Sequence, residues 1–144
     1  MMIFVVDANV VISSLATNGV TYKVFFWNSL LERFDFVAPE FLWREVNRHK
    51  ERLLKNSKLS KDEFEDVFEF LKSEIDIVPN KEFLEFLPNA GEVCPDVKDK
   101  VYFALALALS CPVFSGDPEL KKQPIVRVCS PRELLDVLLG KRAL

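Results

Sequence analysis

The sequence predicts an α/β protein, a three-layer α/β/α sandwich around a central, mainly parallel five-stranded sheet. Three observations predict it. Short, continuously apolar runs rich in β-branched and aromatic residues recur along the chain, the pattern of strands buried on both faces. Stretches with helical apolar spacing alternate with them, which calls for crossover helices and a parallel sheet covered on both sides. The 144 residues contain no linker, repeat or low-complexity segment, so they fit a single domain over residues 1–144 with one core.

Ile3-Phe4-Val5-Val6 is the first strand, and Asp7 ends it. Helical spacing runs from Asn9 to Ala16 and from Thr21 to Arg33, with Thr17-Asn18-Gly19 as the break. Phe34-Asp35-Phe36-Val37-Ala38 reads as the second strand. Pro39 suits a first helical turn, and Phe41, Leu42, Val46, Leu53 and Leu54 recur at helical spacing, so one long helix is expected to end at Asn56-Ser57. Ser60 and Glu63 make a capping box, hydroxyl and carboxylate each able to accept the other's backbone N–H, and open a helix through Leu71. Ile75 to Val78 is the third strand. Lys81 to Leu87 reads as a helical turn or two, and Pro88-Asn89-Ala90-Gly91 as a loop. The helix after Pro95 runs to Ser110 and is nearly all apolar, which suits packing between the sheet and a neighbour, or at a dimer face. Pro112 to Ser115 and Ile125 to Val128 are the fourth and fifth strands, and Ser130 caps a closing helix from Pro131 to Leu139.

Composition removes several classes of function. The longest apolar run, Val101 to Leu109, is far shorter than the roughly 20 residues that span a bilayer. Met1 to Val6 has no basic flank and meets Asp7 too soon for a secretory signal, so no membrane association and a cytoplasmic location are expected. Cys94, Cys111 and Cys129 are an odd count without a C-x-x-C pair, against both a disulfide framework and a zinc knuckle. With His49 the only histidine, a multi-histidine metal site is excluded and any chemistry falls to carboxylates. The net charge of −3 conceals a basic segment, Arg44 to Lys61, with seven Arg and Lys against two Glu.

In an open α/β sheet, ligands bind outside the carboxyl ends of the strands. Asp7 follows the first strand and Asp117 follows the fourth through Ser115-Gly116. Crossover helices run antiparallel to the strands, so their N-termini lie at that edge too and bring Glu45, Asp96 and Asp99 with them. Carboxylates crowded together repel and raise one another's pKa unless a cation sits among them. An all-oxygen donor set suits Mg2+ or Mn2+, and magnesium commonly shares its coordination with substrate phosphates.

These residues resemble a PIN domain, the ribonuclease fold that includes VapC-like toxins of prokaryotic toxin-antitoxin systems. Val6-Asp7-Ala8-Asn9-Val10-Val11-Ile12-Ser13 is similar to the family's opening D-x-N-x-x-I-S, and Ala38 to Val46 to the strand-to-helix segment that carries a second acid. Asp99-Lys100-Val101-Tyr102-Phe103-Ala104-Leu105-Ala106 resembles D-x-x-Y-x-A-L-A, and Ser115-Gly116-Asp117 the T/S-x-D. No single match is specific; four in order, spanning essentially the whole chain, are. The resemblance implies an Mg2+- or Mn2+-dependent endoribonuclease that cleaves single-stranded RNA by metal-activated water, leaving 5'-phosphate and 3'-hydroxyl ends. It assigns Asp7, Glu45, Asp99 and Asp117 as the catalytic and metal-binding quartet, with Asn9 and Ser115 orienting them and Asp96 in support. It further implies a homodimer and, if the chain is a toxin, a small antitoxin protein as partner. Arg44, Arg48, Lys50 and Arg52 on the basic segment are candidates to hold flanking phosphates.

Each acid also has an ordinary reading. Asp7 fits a turn or N-cap, Asp96 an N-cap, Asp99 a dipole partner, Asp117 a cap before Pro118, and Glu45 a solvated helix residue. A charge run on a helix is usually a solvated face, and Trp27, Trp43 and the 13 phenylalanines suit core or interface better than base stacking. Two other functions compete. A catalytically silent PIN-like scaffold would bind RNA or protein without cutting. An aspartate-nucleophile phosphohydrolase would need a second acid two residues beyond the first, where this chain has Asn9.

Overall fold

The computed structural model describes residues 1–94 and 96–144; Pro95, taken above as the residue before the apolar helix, lies outside the described residues. Five strands form one sheet: β1 (Met2–Val6), β2 (Phe34–Pro39), β3 (Ile75–Val78), β4 (Val113–Phe114) and β5 (Val128–Cys129). Their order is β3-β2-β1-β4-β5, and every neighbouring pair is parallel. The chain winds outward from β1 to β3, then returns to the other side of β1 for β4 and β5. The winding therefore reverses between β1 and β4, and a crevice opens there at the carboxyl ends of the strands.

The helices are α1 (Ala8–Ala16), α2 (Val20–Leu31), α3 (Phe41–Arg48), α4 (Lys50–Asn56), α5 (Lys61–Glu74), α6 (Leu87–Val93), α7 (Lys100–Leu109) and α8 (Pro131–Leu138). β1 buries Phe4, Val5 and Val6 completely, as a strand covered on both faces must. On one face Phe4 meets the edge of Phe34 at 5.1 Å, and Phe36 lies 5.0 Å from Phe25 of α2 and 5.6 Å from Phe114 of β4. α8 and α1 pack beside α2 in that layer. On the other face α7 lies against β1, β2 and β4, with Tyr102 through Ala106 buried, and α6 packs onto α7. The buried side chains form one continuous core.

Local signals placed most boundaries. Ser60 and Glu63 exchange both capping-box hydrogen bonds at 3.1 Å, and Ser130 and Glu133 form a second box at 3.2 Å. Four expectations need correction. Pro39 is not in a helix; it is the last residue of β2, paired with Val78. The long helix that should follow it is two helices, broken at His49, whose backbone leaves helical geometry at φ −107°, ψ 4°. The break turns the chain back onto α1, where the Ser57 hydroxyl donates to Leu15 O at 2.6 Å and Lys58 N to Ala16 O at 3.0 Å.

Pro88 to Gly91 is not a loop but most of α6. Pro88 occupies the first turn, where its missing N–H costs nothing, and fully buried Ala90 makes packing against the core outweigh the loop-like composition. Finally, β5 occupies Val128–Cys129 rather than Ile125 to Val128. Gln123 accounts for the shift: its side-chain carbonyl accepts from Ile125 N and Val126 N, and its amide donates to Leu120 O and Val126 O. That one side chain takes up the backbone groups a longer strand would have offered. Between β3 and α6 the chain makes two short 3-10 turns, Asn80–Glu82 and Leu84–Phe86. A third, Val97–Asp99, leads into α7. Cys94, Cys111 and Cys129 are free thiols, and no helix among the described residues is long and apolar enough to cross a membrane.

Candidate active site

The parallel ladder between β1 and β4 sets the first two site residues side by side. Val6 pairs with Phe114, and Asp7 N donates to Phe114 O at 3.1 Å, one residue beyond the strand. Ser115 N continues the ladder on the other side, donating to Cys129 O at 3.0 Å. Two backbones held this way leave the Ser115 hydroxyl 2.8 Å from Asp7 Oδ2, across 108 residues of chain. Asp7 occupies the N-cap position of α1 yet makes no capping bond with its side chain. Its carboxylate turns to Ser115 instead, so the ordinary capping role is not the one the geometry displays.

A hydroxyl has one proton to give and two lone pairs to fill. Ser115 gives its proton to Asp7 and accepts from Asn9 Nδ2 at 3.2 Å and from Asp117 N at 3.1 Å. Asn9 Oδ1 in turn accepts from Gly116 N at 3.3 Å. Asn9 and Ser115 thus tie the start of α1 to the loop after β4, and Asp7 and Asp117 stand at the two ends of this small network. Asp117 Oδ1 also accepts from Glu119 N at 3.0 Å and caps the 3-10 turn Pro118–Lys122, so the cap expected before Pro118 is present.

The other two acids arrive on helices. Glu45 lies in the middle of α3, half-buried, and its Oε1 accepts from the Tyr102 hydroxyl at 3.3 Å. Tyr102 is a site contact that the sequence offers only as one letter of the D-x-x-Y-x-A-L-A motif. Its burial, followed by the Glu45 charge, pushes the phenol far above its ordinary range, so it stays a donor. Asp99 ends the 3-10 turn before α7 and is half-buried. Asp96, exposed, accepts from Lys98 N at 3.0 Å and caps that turn, the role expected of it from sequence.

The electrostatics join the acids into one system. Burial raises the Asp7 carboxyl to about 6, against the Ser115 hydrogen bond and the Ala8 N–H, with Glu45 and Asp117 adding to the rise. Burial likewise raises Asp99 to about 7, helped by Asp7, Asp96, Asp117 and Glu45. None of these five acids takes part in an ion pair among the described residues. The donor set is carboxylate, hydroxyl and amide oxygen, which fits a hard divalent ion better than zinc or a thiolate-preferring metal. Among the described residues, no three Asp, Glu, His or Cys side chains stand close enough to hold an ion as they are.

The basic candidates are not brought together. Arg44, Arg48 and Arg52 are exposed on α3 and α4, on either side of the His49 break. Lys50 is engaged elsewhere, 3.4 Å from Glu65 and 4.3 Å above the Phe68 ring. Trp43 packs edge-on to Phe68 at 5.6 Å, and Trp27 lies half-buried beside Phe26.

The fold and the placement of these residues can be set beside known proteins. A family model described as PIN domain matches residues 5–126. Among solved structures, the chain is similar to the crystal structure of VapBC2 from Rickettsia felis bound to a DNA fragment from their promoter, with a TM-score of 0.63 and 12% identity, over 90% of this chain and 98% of that one. At that identity the likeness speaks for the fold alone. No curated protein matches the chain.

Proposed function

Because the chain belongs to the PIN-domain family, we propose that it is a divalent-metal-dependent endoribonuclease acting on single-stranded RNA, with Asp7, Glu45, Asp99 and Asp117 as its catalytic, metal-holding acids. The observation that carries this reading is the buried Asp7 carboxylate at the reversal point of the sheet. It is hydrogen-bonded to Ser115, has no cationic partner among the described residues, and is raised, as Asp99 is, first by burial and then by the neighbouring acids. Leaving a carboxylate buried beside other acids is costly, and such cost is the rule where a cation and an anionic substrate complete the site.

A bound Mg2+ or Mn2+ would neutralise charge on the scissile phosphate and make water acidic enough for in-line attack, giving 5'-phosphate and 3'-hydroxyl ends. The chain's own contribution is positioning. Ser115 fixes the orientation of Asp7, Asn9 holds Ser115 and the Gly116 backbone, and Tyr102 holds Glu45 by its hydroxyl. Asp96 supports Asp99 by shaping the turn before it.

The surroundings of this reading are a cytoplasmic homodimer and, for a toxin, a small antitoxin partner. Exposed Phe26, Leu30 and Leu31 on α2 support self-association. A second reading, the silent PIN-like scaffold, is favoured by one observation: the acids do not converge three at a time among the described residues. The aspartate-nucleophile phosphohydrolase loses ground, because Asn9 spends its side chain on Ser115 and Gly116 and an amide is no general acid.

Cleavage of a labelled single-stranded RNA with added manganese, and with chelator in its place, tests the proposal. Cutting that requires the metal and disappears in Asp7→Asn is expected. Absence of cutting by the wild type at millimolar manganese would leave the scaffold reading standing.

A further inference from the structure

The 3-10 turn that carries Asp99 and the helix that carries Glu45 also border a cleft of about 380 Å3 with an apolar lining and a cationic rim. Phe41, Phe83 and Val101 line it, and Arg44, Lys98 and Lys100 stand around it. Its cations neighbour two of the acids along the chain. Arg44 precedes Glu45 on α3, and Lys98 and Lys100 flank Asp99. The Phe41 ring lies 6.3 Å from that of Tyr102, the donor to Glu45. Lys100 is placed by α6: its Cε would lie 3.3 Å from a side-chain carbon at Gly91. None of the three cations forms an ion pair among the described residues. At the mouth, Leu84 is 51% and Val97 86% exposed, apolar surface left uncovered beside free positive charge.

An apolar hollow ringed by cations complements a polyanion that carries flat apolar groups at intervals. Single-stranded nucleic acid is such a chain, bound through cations along its backbone and apolar or aromatic contacts to its bases. A peptide of acidic residues alone would satisfy the cations and leave the hollow unfilled. The volume falls at the small end of the range of about 300–1,000 Å3 for small-ligand pockets, room for a base with its sugar rather than for a helix. We propose that this cleft receives one nucleobase of the RNA strand next to the cut phosphodiester, with Arg44, Lys98 and Lys100 on the flanking phosphates. The proposal rests on the RNA reading of the acids and adds where the strand runs.

Its test separates binding from cutting. Fluorescence anisotropy would follow a labelled RNA oligomer and its abasic counterpart, identical in phosphates, on the Asp7→Asn protein in manganese at two salt concentrations. The abasic oligomer should bind about tenfold more weakly, the loss expected for one unstacked base. Leu84→Glu, at an exposed position, should erase that preference. Lys98→Ala with Lys100→Ala should weaken both oligomers alike and flatten the salt dependence. Equal affinity for the two oligomers, no measurable binding, or RNA affinities untouched by all these substitutions, as a cleft made for a protein partner would give, overturns the proposal. A wild type that cuts no RNA while Asp7→Asn keeps its base preference would defeat the nuclease reading and leave the cleft. Normal cutting without base preference would do the reverse.

Discussion

The two sides of the acidic edge are built differently. On the strand side, Asp7 and Ser115 are fixed by ladder hydrogen bonds and buried to 5% and 1% exposure. On the helix side, Glu45 and Asp99 sit half-exposed at a helix and a 3-10 turn, and Glu45 is held by a single hydroxyl at 3.3 Å. The strand ends supply fixed position, while the helix and the 3-10 turn leave their acids partly exposed, although burial raises Asp99 as it raises Asp7. The same chemistry is thus asked of groups whose energies differ, and substitutions should expose the difference.

The largest expected effect ignores that difference. Asp7→Asn and Asp99→Asn should both reduce RNA cleavage to background in manganese, because each removes a charge from the proposed metal-holding set. Their stabilities should differ in degree: without metal Asp7→Asn, relieving a buried charge, should melt at or above the wild-type temperature, and Asp99→Asn, relieving a half-buried one, should shift less in the same direction. A large loss of melting temperature in Asp7→Asn would mark that residue as structural.

Proton linkage gives the next effect. Burial raises Asp7 from 3.8 to about 6 in the folded state, so the folded protein holds that proton more tightly than the unfolded chain. Metal-free stability should therefore fall as pH rises from about 4 through 6, by on the order of 3 kcal/mol for Asp7. Asp99, raised to about 7, extends the decline in the same direction. Urea midpoints at pH 5 and pH 8 in chelator, compared with Asp7→Asn, isolate the Asp7 share. Magnesium should recover part of the loss at pH 8. A wild type as stable at pH 8 as at pH 5, with Asp7→Asn no different, would contradict the assignment of a strained carboxylate.

Ser115→Ala attacks the strand side through its joint. The substitution deprives Asp7 of a donor and leaves Asn9 Nδ2 and Asp117 N without their acceptor. A loss of roughly 1–3 kcal/mol in stability is expected, with slower cleavage at every manganese concentration. The smallest effect falls on the helix side: Asp96→Ala should cost roughly 0.5–2 kcal/mol as a lost cap and reduce cleavage only partly. Complete loss of cleavage in Asp96→Ala beside an active Asp99→Asn would exchange their roles.

What could be read from the sequence divides along the same line. β1, β3 and the Ser60 capping box were legible because their signals are local: a buried apolar run or a serine three residues before a glutamate. Asp7 was legible as a candidate because an acid abutting a buried strand is rare. α6 was not, since Pro and Gly spoke for a loop and only the burial of Ala90 says otherwise. Nor was β5, displaced by the amide of Gln123. The Tyr102 bond to Glu45 joins residues 57 positions apart and has no signature within either segment.

The Asp7 to Ser115 hydrogen bond spans 108 residues, and that separation has a bearing on the protein's birth. Synthesis delivers Asp7 108 residues before the serine whose hydroxyl orients it. Until β4 has left the ribosome and paired with β1, the emerging chain contains every early acid but no site. Contacts of such long sequence separation form late, after the loop entropy between them has been overcome. A chain that stops short of Ser115 would therefore hold Asp7 without the hydroxyl that fixes its carboxylate.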